Sequence, residues 1–194
     1  KGKKPLLINN LYQIIDLIHL NKINKSLQSL RDKAIILLGF SGGFRRSELV
    51  SLEKSDLEFI SEGLKITLRK SKSDQYGQGL IKGIPYFKNT KYCPVLAVKE
   101  WILSSDNLSD KRLFPCSDKT VALIVKKYLG LIGLDSKQYS GHSLRSGFAT
   151  STAASGADER SIMAMTGHKS TEMVRRYIKE ANLFTNNALN KINM

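Results

Sequence analysis

Residues 141 to 177 read GHSLRSGFATSTAASGADERSIMAMTGHKSTEMVRRY, and the caps and breaks in this stretch set the architecture. His142 to Ser155 is predicted as a helix closed by Gly156. Asp158 caps a short helix through Met165, because its carboxylate can accept from the unpaired N–H groups of a first turn. Gly167 breaks that helix, and Ser170 caps the next one, which carries Met173, Val174 and Tyr177. His142 stands three residues before Arg145, so both face the same side of a helix start. His142 and His168 each follow a glycine.

On the N-terminal side the pattern is also helical. Asn10 caps a helix from Leu11 whose apolar face is Leu11, Ile14, Ile15 and Ile18. A second helix runs from Arg31 to Phe40 and stops at Ser41-Gly42-Gly43, and a short one follows from Arg45 to Leu52. Leu64, Ile66 and Leu68 alternate with Lys65, Thr67 and Arg69, which is the period of a strand. A polar loop holding Gly77 and Gly79 leads to a return strand, Leu80 to Tyr86, with Pro85 marking an edge or strand end. Pro94 suits the first position of a helix containing Val95, Leu96, Val98, Trp101 and Ile102. Val121 to Ile132 and Asn182 to Ile192 complete the helices. The expected fold is mainly α with a small antiparallel β-sheet, an α+β arrangement.

The chain has 194 residues, 41% of them hydrophobic, enough for one sizeable core and a single domain over 1–194. Its 31 Lys and Arg outweigh 17 Asp and Glu, giving a net charge of +14. That excess points to a polyanion, nucleic acid first and an acidic membrane surface second. No apolar run approaches the ~20 residues that span a bilayer, and KGKK at the start lacks the apolar core of a signal peptide. Residues 1–7 read as linker-like. Cys93 and Cys116 form no C-x-x-C pair and read as reduced or buried cysteines of a cytoplasmic protein.

The residues available for chemistry narrow the class of reaction. There is no H-E-x-x-H and no cysteine pair to hold zinc, no G-x-S-x-G elbow beside Ser143, and no G-K-[ST] after Gly42-Gly43. His19 belongs to an amphipathic helix. What remains is a set of cations: Arg45, Lys72, His142, Arg145 and His168. Guanidinium forks match phosphate oxygens and stabilise charge that builds on them during phosphoryl transfer. A tyrosine hydroxyl ionises near about 10 in peptides and needs a base or a positive field to act as a nucleophile. His142 is the candidate base, and Lys72 is the candidate acid for a departing oxygen.

These residues fall in motifs similar to those of tyrosine recombinases of the phage-integrase type. SGGFRRSELVSL, Ser41 to Leu52, resembles the box that carries the first arginine, here Arg45. RKSKSDQYGQG, Arg69 to Gly79, resembles the β-hairpin of the catalytic lysine, here Lys72, with Lys70 two residues away. GHSLRSGFAT resembles the H-x-x-R box, giving His142 and Arg145; TGHKSTEMVRRY resembles the G-H box and nucleophile, giving His168 and Tyr177. Arg46 occupies a position usually apolar in the family, and Ile178 and Lys179 stand where many relatives carry a histidine.

The resemblance implies the C-terminal catalytic domain of a site-specific DNA recombinase. It acts through a 3′-phosphotyrosyl intermediate and calls for no cofactor, metal or ATP. It implies Glu48 as a brace of the site and double-stranded DNA as partner. Arg46, Arg69, Lys70, Arg175 and Arg176 are the expected DNA contacts. It further implies a separate N-terminal core-binding domain, absent from this stretch. A tetramer on DNA is implied as well, in which the C-terminal helix, within 182–194, passes between neighbours. Two other readings stand beside it. One is a type IB topoisomerase or telomere resolvase with the same chemistry. The other is a non-catalytic helix-turn-helix DNA-binding module over Ala157 to Lys179.

Overall fold

The computed structural model describes residues 3–20, 26–69, 79–106, 109–168 and 170–181. Among these described residues eight α-helices and a three-stranded sheet follow in the order α1 (Ile8–Leu20), α2 (Leu27–Ser41), α3 (Arg46–Ser51), β1 (Leu57–Phe59), β2 (Gly63–Leu68), β3 (Leu80–Pro85), α4 (Pro94–Ser104), α5 (Asp118–Leu131), α6 (Ser143–Ala154), α7 (Glu159–Thr166) and α8 (Thr171–Ala181). The fold is mainly helical with one small antiparallel sheet, as the sequence predicts.

The centre is α2. Ser26 caps it by accepting from the Ser29 N–H at 3.1 Å, and every residue from Ala34 to Ser41 is buried. It packs against α4, α6, α1 and α5. Full enclosure of Ile35, Ile36, Leu37 and Leu38 stabilises by about 1.5–3 kcal/mol per side chain. Pro94 opens α4, and Asp158 caps α7 by accepting from the Ser161 N–H at 3.0 Å, both as predicted. Ser170 Oγ likewise accepts from the Glu172 N–H at 3.2 Å at the start of α8.

Helix starts and the sheet differ in places from the sequence reading. Helix α1 begins at Ile8 rather than Leu11, because Ser151 Oγ of α6 accepts from the Ile8 N–H at 3.1 Å and supplies the cap from afar. Helix α2 begins at Leu27 rather than Arg31, one turn earlier, behind the Ser26 cap. The sheet gains β1, whose residues pair with β2 in the register Leu57↔Ile66 and Phe59↔Leu64. Strands β2 and β3 pair as expected, with Ile66↔Lys82 and Leu64↔Ile84.

Residues 3–7 lie against α6. Leu6 is fully buried, its N–H donates to Ser143 O at 2.9 Å, and Ser143 Oγ donates to Lys4 O at 2.6 Å. Cys93 is buried and Cys116 half-buried, and both are free. Among the described residues no helix is long and apolar enough to cross a membrane.

The apolar interior falls into a main cluster around α2 and a smaller one of Ala149, Ala153, Ile162, Val174 and Tyr177. Helix α6 belongs to both, with Leu144 in the first and Ala149 in the second. The polar residues of interest lie along the seam between them.

Candidate active site

Arg145 is the third residue of α6, in its first turn, and is fully buried. Its Nη1 donates to the Gly43 carbonyl at 2.9 Å. Its Nε and Nη2 are buried without a hydrogen-bond partner among the described residues. Burial, then the neighbouring Arg45, pulls its guanidinium down to about 10, against the pull of Glu48 and Tyr177. Two desolvated donors of a cation left without acceptors are costly, and an incoming anion relieves that cost.

Arg45 follows the turn that ends α2. Gly43 in that turn has φ +54°, and a Cβ there would press on Phe148 and Thr166 at 3.1 Å, so the position suits glycine alone. Glu48, the third residue of α3, reaches back to accept from the Arg45 backbone N–H at 2.9 Å, and its other oxygen accepts from Arg45 Nη1. One buried carboxylate therefore caps the helix and aims the arginine.

His142 is the N-cap residue of α6 and is exposed at the site's rim. Partial enclosure, followed by Arg145, Arg45 and Arg46, lowers its pKa, which keeps the ring neutral and able to take a proton at neutral pH. His168 follows the left-handed Gly167 that closes α7. Its Nδ1 lies 2.8 Å from Thr166 Oγ1, and that hydroxyl donates to Ile162 O at 2.7 Å. The hydroxyl's single proton is thereby committed, so the His168 Nδ1–H donates to Thr166. Burial, then Arg145, Arg45 and His142, brings the ring down to about 4.

Tyr177 lies on α8 with 7% of its surface exposed, packed with Val174 and Ile162. Its ring centre is 6.3 Å from that of His168. Thus α6, the α2–α3 turn, the α7 end and α8 bring Arg45, His142, Arg145, His168 and Tyr177 together. Lys70 and Lys72 lie outside the described residues.

The expected DNA contacts are spread more widely. Arg46 is half-exposed, its stem lies across Gly141 where a Cβ would stand, and its Nη2 is 3.7 Å from an Asp118 oxygen. Arg69 pairs with Asp56 and Glu53 and donates to Ser55. Arg175 pairs with Glu159 at 3.1 Å, and Arg176 is exposed on the same helix. Among the described residues no three His, Cys, Asp or Glu gather as a metal site.

Sequence reasoning missed Lys82. It is 1% exposed, its Nζ donates to the Gly42 carbonyl at 2.6 Å, and the ammonium lies 4.2 Å from the centre of the Phe44 ring. The signal was a lysine in phase with Leu80 and Ile84 on a period-two strand, which places it on the inward face.

Comparison with known proteins gives the family. The model of the phage integrase family matches residues 9–183. An integrase/recombinase XerD homolog of Selenomonas ruminantium is 45% identical, over 99% of this chain and 58% of the relative. Tyrosine recombinase XerA of Pyrococcus horikoshii is 30% identical, over 98% of this chain and 65% of the relative. The chain thus spans roughly half to two thirds of the length of the curated relatives it matches. Among solved structures, XerA recombinase overlays with a TM-score of 0.72 at 19% identity, covering 96% of this chain and 64% of that one. XerH recombinase bound to its difH substrate before cleavage overlays at 0.71 and 20% identity, covering 91% and 51%. With a family model over most of its length and a relative 45% identical across nearly all of it, the chain belongs to the phage integrase family of tyrosine recombinases.

Proposed function

We propose that this chain is the catalytic domain of a site-specific DNA recombinase that cuts and rejoins DNA through Tyr177. The observation that carries this reading is Arg145, fully buried with two donors unpartnered among the described residues and electrostatically coupled to Arg45 and Tyr177. Such a pocket fits the non-bridging oxygens of one phosphodiester.

The step balances without an outside reagent. The Tyr177 oxygen bonds to phosphorus as the P–O5′ bond breaks, and its proton passes to neutral His142. The 5′-oxygen leaves as a hydroxyl, with Lys72 as the proton donor. The 5′-hydroxyl of a partner strand then attacks the phosphotyrosyl bond and restores the tyrosine. Arg45, Arg145 and His168 hold the phosphate oxygens. His168 enters neutral, and the arriving anion favours its protonation. Each cleavage conserves one phosphoester bond, so the reaction needs no ATP.

Relatives named for DNA complexes support double-stranded DNA as the partner. They include the XerH–difH complex and a lambda integrase dimer on a core site. The reading extends to a core-binding domain and a tetramer of protomers that complete the enzyme on DNA in the cytoplasm.

The test is a set of suicide duplexes, nicked to lose the 5′-hydroxyl fragment and drawn from the DNA that flanks the gene. A covalent protein–DNA adduct that Tyr177→Phe abolishes is expected. DNA binding with no adduct on any flanking site contradicts the reading and favours a non-catalytic module. Supercoil relaxation without exchange between sites moves it to a topoisomerase.

A further inference from the structure

Lys82 poses a physical question that folding alone does not answer. The inward face of the β2–β3 hairpin is otherwise apolar, with Leu64, Ile66, Leu68 and Ile84 all buried. A methionine or leucine at position 82 would fill the space without a desolvated charge. The ammonium instead stands near two arginines. Among the described residues no carboxylate pairs with it; its contacts are the Gly42 carbonyl and the Phe44 ring.

Those contacts fall on one turn. The Gly42 carbonyl accepts from Lys82 of β3, and the next carbonyl, Gly43, accepts from Arg145 of α6. Phe44 carries the ring beneath the ammonium, and Arg45 follows at once, held by Glu48. The turn that aims one arginine and docks the other is therefore clamped from the sheet on one side and from α6 on the other.

We propose that Lys82 is a positioning residue, which fixes the Gly42–Phe44 turn so that Arg45 and Arg145 converge on one phosphate. The proposal rests on the phosphodiester reading above. It ties the strand that follows residues 70–78 to the arginine pair.

Charge supports this. Burial lowers the Lys82 ammonium to about 7, with Glu48 of α3 raising it and Arg145 of α6 and Arg45 before α3 lowering it further. An anion bound between the arginines favours the protonated lysine, so DNA binding draws a proton to the site. The cation, unlike the neutral amine, is held by the Phe44 ring, so protonation tightens the turn. The rate at subsaturating DNA is expected to fall as pH rises through about 7, and the saturated rate at higher pH.

The experiment compares the chain with its Lys82→Met variant on an adduct-forming suicide duplex and, separately, without DNA. Single-turnover cleavage by Lys82→Met is expected to fall about tenfold to a hundredfold, with half-saturating DNA within about threefold of the parent. Its alkaline limb near pH 7 is expected to vanish. Without DNA, the Gly43 and Phe44 amides are expected to exchange hydrogen at least about tenfold faster. A folded Lys82→Met that cleaves within about twofold of the parent overturns the proposal, as does lost rate with the alkaline limb in place. If Lys82→Met does not fold, the same measurements on Lys82→Gln decide, and failure of both to fold makes the residue a core requirement and overturns the role. If the parent itself forms no Tyr177 adduct, the functional reading fails. The exchange at Gly43 and Phe44 still tests the clamp, and unchanged exchange rejects it.

Discussion

Arg145 shows why a guanidinium, rather than any cation, belongs at its position. One nitrogen is spent on the Gly43 carbonyl while the others remain for a ligand. A lysine carries a point charge and cannot divide its donors in that way. Arg145→Lys is therefore expected to lower adduct formation on the order of a hundredfold or more while leaving the helix intact, as measured by single-turnover kinetics and circular dichroism. His168 gives a second test. Its ring is lowered to about 4 from an ordinary value of about 6.5. Between those values the unfolded chain binds a proton that the native state refuses, so stability is complete above about 6.5 and falls as pH drops toward 4. His168→Gln should flatten that acid loss in melting curves between pH 6.5 and 4. An unchanged slope would locate the titrating group elsewhere. Most residues of the cluster were legible in the sequence because each sits beside a glycine or at a fixed spacing, as His142 and Arg145 do. Lys82 was not, because its role appears only when the strand's alternation is folded onto the Gly42 turn.

Helices announced themselves where a single residue decides the boundary: Pro94 for α4, Asp158 for α7, Gly167 for its end. They were less legible where the deciding partner is far away in sequence, as Ser151 is for α1. Strand β1 has only three residues, too few for a period to show, and it exists because β2 offers it a ladder. The close approach of α6 to residues 3–7 is another long-range feature. A Cβ at Gly147 would lie 1.8 Å from the Leu6 carbonyl oxygen. Gly147→Ala should therefore cost about 1–3 kcal/mol despite alanine's better helix propensity, seen as a lower melting temperature. Lys82→Met is expected to act in the opposite sense. A lysine lowered from 10.5 to about 7 weakens the fold at neutral pH, because stability is regained only as pH rises from 7 toward 10.5. Removing that charge, offset by the orphaned Gly42 carbonyl, should leave the melting temperature equal to or above the parent's while the reaction slows. That divergence separates a functional residue from a structural one.

The positive excess of the chain acts at longer range than any of these contacts. With a net charge of +14, binding to DNA should release counterions and weaken on the order of a hundredfold or more between about 50 and 200 mM salt. Fluorescence anisotropy with a labelled duplex measures this, and affinity flat across that range would show that charge does not drive the encounter. Steering of this kind would bring any DNA to the surface; the chemistry proposed at one phosphate is placed at the seam between the two apolar clusters, where α6 belongs to both. Everything proposed for that seam converges on one bond, between phosphorus and the Tyr177 oxygen. Peptide mass spectrometry of the nuclease-trimmed adduct tests it most directly. The predicted result is a nucleotide attached through its 3′-phosphate to the peptide carrying Tyr177, and to no other residue; a nucleotide on another side chain, or none from DNA that the protein demonstrably cuts, would contradict it.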